Sequence, residues 1–332
     1  MEEIITLDYG SGGQKTAELI ENLLVPAFRN PALEDLGDGA VLDGSGKLVF
    51  SSDSFVVSPW RFPGGDIGRL CVCGTVNDVC MAGGLPRYLS LSFILEEGFL
   101  LSDLKEIIAS IAEEAKKTGV IIATGDTKVV EHGKGDGIYI NTAGIGFLTA
   151  SLPGKGGIQE GDAVLLSGSA GCHGAAVMMA RAGLANGTSL LSDCSPLTGL
   201  SQAALQAGSI RILRDPTRGG VATTLNEFVE NGPLCIELEE SCIPIDPPVE
   251  AACELLGLDP LYCACEGRML AIVDAKDAEA VLSALRHTPG GEQAARIGTV
   301  TAARPGRVLL KTRIGGIRML QKLSGMQLPR IC

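Results

Sequence analysis

The sequence has few aromatic residues, few histidines and no cluster of positive charge. Aromatic side chains make up 4% of the 332 residues, histidine occurs 3 times, and no run of lysine or arginine exceeds a pair. The formal net charge of −12 argues against nucleic acid and anionic membranes as partners. No window reaches the roughly 18 apolar residues of a membrane span, and no signal peptide is recognisable. We therefore expect a cytoplasmic protein.

Disulfide bonds and a cysteine metal site are not expected either. In the cytoplasm the 11 cysteines should be reduced and mostly buried. Cys71 and Cys73 fall in a predicted helix, where residues two apart face different directions. Cys263 and Cys265 fall in a predicted strand, where they share a face. No CxxC pair accompanies them, so the spacing does not favour a structural metal site.

The composition is aliphatic and rich in glycine. Hydrophobic residues make up 45% of the chain and 44 residues are glycine, which indicates a compact core with many tight turns. Apolar runs that alternate with amphipathic stretches predict two α/β blocks. We divide the chain into a glycine-rich segment (1–37), an N-terminal domain (38–150), a C-terminal α/β domain (151–306) and a flexible tail (307–332).

The clearest predicted element is a helix over 102–118. Ser102 is a suitable N-cap, Gly119 follows where the helix would end, and apolar residues recur every three or four positions between them. Another helix is predicted over 66–82. For the second block we predict helices over 171–184, 196–207, 219–231, 248–257 and 277–287, and strands near 163–168, 234–240, 268–274 and 295–301.

The N-terminal stretch DYGSGGQKT has the glycines and the lysine of a phosphate-binding loop. It fails the P-loop motif because Gln14 stands where a glycine must precede Lys15. The backbone amides of Gly12 and Gly13 remain suitable for holding an anion. A plain N-terminal turn explains the same residues equally well, and both interpretations stay open.

Four aspartates of the first block lie beside glycines or in turns: Asp38, Asp53, Asp78 and Asp126. Each one alone is typical of a turn or a cap. Asp53 and Asp126 also lie at the ends of predicted strands, where sites on open sheets gather. Magnesium prefers oxygen ligands, usually a few carboxylates plus substrate phosphates. Together the four predict one shared Mg²⁺ and nucleotide site.

Other polar residues are candidates for roles near that site. Arg218 is suited to stabilise phosphate charge, and Lys128 follows Asp126 closely enough to reach the same ligand. Glu266 precedes an apolar strand, where burial would raise its pKa toward that of a useful base. A surface turn is the alternative for Glu266. His173 is left unassigned, since a lone histidine is more often structural.

The chain ends in LSGMQLPRIC, with a thiol on the last residue. A terminal cysteine arises by chance in roughly 3% of chains of this composition, 11 of 332 residues. Gly315, Gly316 and Gly325 are predicted flex points that would let the tail carry Cys332 between sites. Cys332 is therefore a candidate reactive residue.

Several of these stretches resemble one family. SDSFVVSPWRFPGGDIGRLCVCGTVNDVCMAGG, ATGDTKVV, RDPTRGGVATTLNE and the terminal PRIC are similar to the HypE family of hydrogenase expression/formation proteins. That family belongs to the ATP-using superfamily of aminoimidazole ribonucleotide synthetase, selenophosphate synthetase and thiamine-monophosphate kinase. The resemblance runs nearly end to end, and it departs from the usual family pattern at Tyr9 and Cys172.

The resemblance implies an activity and a set of roles. The family uses ATP to dehydrate an S-carbamoyl group on its terminal cysteine to a thiocyanate, which supplies the cyanide ligand of nickel-iron hydrogenase. Cys332, Lys128 and Glu266 are implied in catalysis, and which of the last two takes a proton stays open. ATP contacts are implied for Asp38, Asp53, Asn77, Asp78, Asp126, Gly12, Gly13 and Arg218, with the four aspartates also holding Mg²⁺.

Architecture and partners are implied as well. We expect an α/β (α+β) fold of two domains, similar to aminoimidazole ribonucleotide synthetase, with ATP in a cleft and a homodimer formed through the N-terminal sheets. The carbamoyltransferase HypF is implied as the carbamoyl donor, and the iron-carrying HypC-HypD complex as the cyanide acceptor. A superfamily kinase or synthetase acting on a free small molecule is the alternative.

Overall fold

The computed structural model describes residues 3–11, 14–33, 40, 42–323, 328 and 330–332. It forms two lobes, each built on one large sheet. The strands of the first lobe are β1 (Leu48–Phe55), β2 (Arg61–Phe62), β3 (Gly65–Asp66), β4 (Gly84–Glu96), β5 (Ile121–Val130) and β6 (Ile138–Leu148). Its helices are α1 (Gln14–Leu19), α2 (Val25–Phe28), α3 (Ile67–Met81) and α4 (Leu101–Thr118), with a π-helical turn (Ile20–Leu24) joining the first two.

The main sheet of the first lobe has the strand order β1-β6-β4-β5. Strands β4 and β5 are parallel because α4 makes the crossover between them, and the other pairs are antiparallel. The register places four residues in one row across the sheet: Ser54, Asn141, Ser92 and Asp126. Their side chains point to one face, so Asp53, the chain neighbour of Ser54, points to the opposite face.

The predicted helix over 102–118 is confirmed as α4, but its expected cap is wrong. The helix begins at Leu101 with Leu100 at the N-cap position, so Ser102 lies inside the first turn. Gly119 ends the helix with φ of 73°, a left-handed conformation that favours glycine. The apolar stripe, which includes Leu104 and Ile111, is buried. Its burial against α3 is the main source of stability for α4.

Helix α3 confirms the helix predicted over 66–82 and lies at the centre of the molecule. It packs against β1, β4 and β6 on one side and against the helix Thr198–Ala207 of the second lobe on another. Cys71 and Cys73 are both fully buried, as expected for reduced structural thiols. All residues of α3 except Arg69 and Asp78 are buried, so the helix is covered on nearly every side, and it therefore joins the two lobes.

The second lobe contains a larger sheet. Its strands are β7 (Ala163–Leu166), β8 (Ile210–Arg214), β9 (Cys235–Glu239), β10 (Leu270–Val273), β11 (Ala295–Thr301), β12 (Val308–Lys311) and β13 (Ile317–Leu320). Its helices are α5 (Cys172–Arg181), α6 (Thr198–Ala207), α7 (Gly220–Val229), α8 (Pro247–Leu256) and α9 (Ala278–Arg286). The strand order is β13-β12-β9-β11-β7-β10-β8, and only β9 and β12 pair in parallel among these described strands. The helices and strands predicted in this block are confirmed to within a few residues.

Two expectations about the second lobe are wrong. The tail predicted as flexible over 307–332 contains β12 and β13, which extend the sheet, and Gly315 and Gly316 lie at the turn between them. Cys263 and Cys265 lie in a loop before β10 instead of in a strand. Both thiols are still buried, because an apolar stretch can be covered by the fold without pairing as a strand.

One apolar core extends through both lobes. It runs from α4 and α3 in the first lobe to α6 and α9 in the second. A separate cluster packs α7 against the other face of the large sheet. No helix within the described part of the chain is long and apolar enough to cross a membrane. The shared core holds the two lobes against each other, and a cleft remains where β1 and α3 approach the loops after β8 and before β10.

Candidate active site

The cleft between the lobes is a cavity of about 690 Å³. Its polar lining comes from distant parts of the chain: Asp53 on β1, Asp78 on α3, Asp215 and Arg218 in the loop after β8, Glu266 in the loop before β10, and Cys332 at the C-terminus. The first lobe therefore supplies two carboxylates, and the second supplies two carboxyl groups and an arginine. The C-terminal thiol lies among them.

Asp53 and Asp78 face each other across the packing of β1 on α3. Ser51 Oγ donates a hydrogen bond to Asp78 Oδ2 at 2.7 Å, and the backbone N–H of Ser54 donates to Asp53 Oδ1 at 2.7 Å. Burial raises the pKa of Asp53, and the negative charge of Asp78 raises it further, whereas the Ser54 N–H and Arg218 oppose the shift. Both aspartates lie inside their elements, not at strand ends or turns as predicted.

Asp215 is a site residue that sequence reasoning missed. Its side chain is 5% exposed, and burial followed by the charge of Asp78 raises its pKa to about 7. Three of the carboxyl groups that line the cavity, those of Asp53, Asp78 and Asp215, thus repel one another, which is the arrangement that a cation relieves. The available signal was its position just after a strand and three residues before Arg218, in RDPTRGG.

Glu266 is almost completely buried, which confirms the expectation of a buried carboxyl and not a surface turn. It is 2% exposed, and among the described residues its Oε1 atom has no hydrogen-bond partner. Burial, followed by the charges of Asp215, Asp193 and Asp53, raises its pKa well above the usual range. The backbone N–H of Glu266 donates to Asp193 Oδ1 at 3.2 Å, which holds its loop in place.

Asn77 ties the lobes together and does not face the cavity. Its Nδ2 donates to the carbonyl oxygens of Ser195 at 3.1 Å and Glu266 at 3.0 Å, and its Oδ1 accepts from the N–H of Leu197 at 2.7 Å. The side chain is fully buried. Because these bonds occupy the amide, the geometry gives Asn77 a positioning role behind Glu266 in place of the predicted nucleotide contact.

Asp126 and Lys128 line a different cavity. It has a volume of about 320 Å³ and lies between β4, β5 and the N-terminal helices. Lys128 Nζ contacts Asp126 Oδ1 at 2.6 Å, and this contact lowers the pKa of Asp126. The sheet register places Asp126 and Asp53 on opposite faces. Within one chain, the predicted set of four aspartates is therefore not assembled, and Asp38, Gly12 and Gly13 lie outside the described residues.

The carboxylates of the cleft fit a metal that is shared with a ligand. In the described part of the chain, no three His, Cys, Asp or Glu side chains converge to hold a metal ion alone. Asp53, Asp78 and Asp215 nevertheless line one cavity, and the charges of Asp78 and Asp53 help to raise the pKa of Asp215, although Arg218 lies in the same lining. Mg²⁺ commonly takes one or two carboxylates and completes its shell with phosphates and water. The donor set suits that mode of binding.

The C-terminal thiol is docked in the cleft. The N–H of Val56 donates to a main-chain oxygen of Cys332 at 3.0 Å, and the side chain of Ile331 is 3% exposed. Burial, followed by the nearby Glu266, raises the pKa of Cys332 to about 12, against the opposing charge of Arg218. The docked cysteine is therefore a neutral thiol at physiological pH.

Comparison with known proteins places the chain in a family. Models of AIR synthase related proteins match twice, the N-terminal domain over residues 36–148 and the C-terminal domain over residues 159–311. Carbamoyl dehydratase HypE of Cupriavidus necator is 50% identical over 332 residues, which covers 99% of this chain and 95% of the relative. The chain belongs to the HypE family of carbamoyl dehydratases.

Solved HypE structures agree with this fold. The crystal structure of the hydrogenase maturation protein HypE in complex with ATP is 47% identical, with a TM-score of 0.94 over 98% of this chain and 99% of that one. A chain in the crystal structure of a HypE-HypF complex is 42% identical, with a TM-score of 0.79 over 92% of this chain and 99% of that one. The predicted HypE family and two-domain fold are confirmed.

Proposed function

We propose that the protein uses ATP to dehydrate an S-carbamoyl group on its own Cys332 to a thiocyanate, for assembly of the nickel-iron hydrogenase centre. The observation that carries the proposal is the position of Cys332 in a cavity lined by Asp53, Asp78, Asp215, Arg218 and Glu266. A free small molecule as substrate, the alternative from sequence, is disfavoured because the chain's own terminus occupies this cavity.

The reaction divides between activation of an oxygen and removal of protons. Transfer of the γ-phosphoryl group to the carbamoyl oxygen converts a poor leaving group into a good one. Phosphate then leaves, both nitrogen protons are lost, and the carbon–nitrogen bond becomes a nitrile on the cysteine sulfur. Arg218 stabilises the negative charge that develops on the departing phosphate.

Glu266 is the proposed proton acceptor. It lines the same cavity as Cys332, whereas Lys128 of the same chain lines another. A buried carboxylate with a raised pKa is a stronger base than an exposed one, and it is most effective when that pKa lies near the working pH. Asn77 and Asp193 hold the backbone of Glu266 and so aim the carboxylate.

Asp53, Asp78 and Asp215 are the proposed ligands of a nucleotide-bound Mg²⁺. The ion, when bound, neutralises phosphate charge. Its carboxylate ligands must be ionised, so metal binding releases the proton that Asp215 holds near neutral pH. We assign no metal contact to Asp126 of the same chain, because it points to the opposite face of the sheet.

A homodimer would give Asp126 and Lys128 a role. The sheet face that carries both also exposes large apolar side chains: Phe50 (69% exposed), Leu48 (56%), Leu85 (43%) and Ile94 (43%). An exposed apolar patch of this kind favours association. A second copy of this face would cover the patch and place the Asp126–Lys128 pair at the dimer interface. There Lys128 would contribute phosphate charge stabilisation in place of a proton transfer.

The proposed partners are a HypF carbamoyl donor and a HypC-HypD cyanide acceptor. Support for the first is the structural match to a chain of a HypE-HypF complex. The second follows from the family reaction, since a thiocyanate needs an acceptor for its cyanide.

Mass spectrometry of the C-terminal peptide tests the function. After incubation with HypF and its substrates, Cys332 should gain one carbamoyl group, and MgATP should then remove one water from it. A Cys332→Ser variant should show neither change. If active HypF leaves Cys332 unmodified while MgATP is consumed with an added small molecule, the alternative reaction is correct instead.

A further inference from the structure

The main chain of the last residues accepts hydrogen bonds from both lobes. His173 Nε2 lies 2.8 Å from the carbonyl oxygen of Ile331, and the guanidinium of Arg181 donates to the carbonyl oxygen of Arg330. Both side chains belong to α5 of the second lobe. On the other side, the N–H of Val56 in the first lobe donates to Cys332. The tail thus lies between the lobes, and each lobe contacts its backbone.

The bond from His173 has a fixed direction. A carbonyl oxygen only accepts, so Nε2 carries the proton. Burial lowers the pKa of His173, so the ring is neutral and Nδ1 accepts. Ser192 Oγ lies 2.8 Å from Nδ1 and donates to it, and this hydroxyl accepts from the N–H of Cys194 at 3.1 Å. The ring of Phe62 packs edge-on at 5.1 Å. His173 is therefore preorganised as a donor aimed at one peptide carbonyl, and both of its nitrogens are occupied.

Arg181 is the second preorganised donor. Its guanidinium also donates to the carbonyl oxygen of Ser58, in the segment after β1. This contact bridges α5 to the first lobe and holds the planar group beside the tail. Bonds from a charged donor to a carbonyl are stronger than neutral ones. His173 and Arg181 thus donate hydrogen bonds to consecutive carbonyl groups, those of Ile331 and Arg330.

Side chains of the tail, among them those of Arg330 and Ile331, are contacted as well. Arg330 pairs with Asp136, donates through Nε to the carbonyl oxygen of Val56 at 2.9 Å, and lies 6.0 Å from the ring of Tyr139. Ile331 is buried in the shared core. Arg330 has φ of 50°, and this left-handed turn lets the peptide present its carbonyls to α5 while Cys332 continues into the cavity.

We propose that His173 and Arg181 form a receptor for the peptide carbonyls of the terminal Arg-Ile-Cys segment, which positions Cys332 in the cleft. The receptor binds the backbone, other residues contact the side chains of Arg330 and Ile331, and the hydrogen bonds from His173 and Arg181 do not involve the sulfur. The same contacts can therefore hold the free thiol, the carbamoyl form and the thiocyanate in turn. The positioning is a property of the docked tail, and its use in dehydration rests on the proposed function.

Thiol alkylation of the full-length protein tests the receptor without ATP or a carbamoyl donor. Iodoacetamide should react slowly with docked Cys332, and the exposed Cys242 provides an internal reference. His173→Phe and Arg181→Met each remove the hydrogen-bond donor and put an apolar side chain of comparable size in its place. Loss of one such hydrogen bond should raise the alkylation rate of Cys332 by about fivefold to tenfold relative to that of Cys242.

Matched variants separate docking from general loosening. His173→Gln keeps a donor and an acceptor, so its rate should stay near that of the native protein. Arg286→Met removes another arginine that donates to a carbonyl, that of Ala294 within the second lobe, and should leave Cys332 unchanged. An unchanged Cys332 rate in His173→Phe and Arg181→Met would overturn the receptor, as would equal acceleration by Arg286→Met.

The two hypotheses fail separately. If alkylation responds as expected but Cys332 is never carbamoylated or dehydrated, the receptor stands and the proposed function falls. If dehydration proceeds normally in variants with unchanged alkylation, the function stands and the receptor is refuted.

Discussion

Replacement of Asp215 by asparagine should make the stability of the protein less dependent on pH. Asp215 is buried in the cleft, and its pKa is about 7 in the folded protein against about 3.9 in an unfolded chain. The folded state therefore holds more protons than the unfolded state between these values. Stability is lost as the pH rises through this window. Asparagine has nearly the same shape and no charge, so it removes this contribution.

The size of the effect follows from the two pKa values. At about pH 5 the ionisation of Asp215 in the unfolded state costs the native protein roughly 1.5 kcal/mol, and at about pH 8 the cost reaches roughly 4 kcal/mol. From pH 5 to pH 8, the free energy of unfolding of the Asp215→Asn variant should thus rise by about 2 to 3 kcal/mol relative to that of the native protein. Any constant difference in packing cancels in this comparison.

Urea unfolding in the presence of EDTA and without nucleotide is the appropriate assay. We assume a denaturant slope of about 3 kcal/mol/M. The gap between the urea midpoints of the native protein and the Asp215→Asn variant should then change by about 0.8 M from pH 5 to pH 8. Asp43→Asn is the matched control, because its carboxylate lies on the exposed surface. A gap that does not change with pH, or that changes equally in the control, would show that Asp215 titrates in the folded protein as it does in water.

Three further outcomes are expected. Magnesium should raise the thermal midpoint of the native protein more at pH 8 than at pH 6, because at pH 6 it must displace the proton of Asp215; an equal rise would place the metal elsewhere. Glu266→Gln should fold normally and still accept the carbamoyl group, but its dehydration rate should fall by at least about 100-fold; an undiminished rate would exclude Glu266 as the base. Gly267→Ala should lower stability by about 1 to 3 kcal/mol and slow dehydration, because the new Cβ would lie 1.8 Å from the carbonyl oxygen of Asp193 and push the loop of Glu266 aside. Gly156→Ala, which meets no atom within 4 Å, is its control, and equal midpoints for the two variants would contradict the argument.

Local patterns in the sequence determined the elements and much of the chemistry. The apolar stripe and Gly119 were enough to predict α4, because helix packing and helix ends depend on residues a few positions apart. The apolar run after Glu266 made burial one of two open interpretations, beside a surface turn. The terminal thiol of Cys332 was visible as an improbable residue at the end of the chain. These features need no knowledge of distant contacts.

The membership of the site was decided by tertiary structure. Asp53 and Asp126 look equivalent in sequence, but strand register turns one toward α3 and the other toward the opposite face, and register depends on pairing between distant segments. Asp215 joined the cleft because β8 brings its loop to α3.

Two further residues show that the partners of a side chain depend on tertiary structure. Asn77 looked like a ligand contact, but its amide is occupied by three backbone groups from the second lobe. His173 had no role assigned by sequence, and only the path of the tail brings Ile331 to its ring. A side chain's chemistry follows from its identity, whereas its partners follow from contacts more than a hundred residues away, which no local pattern encodes.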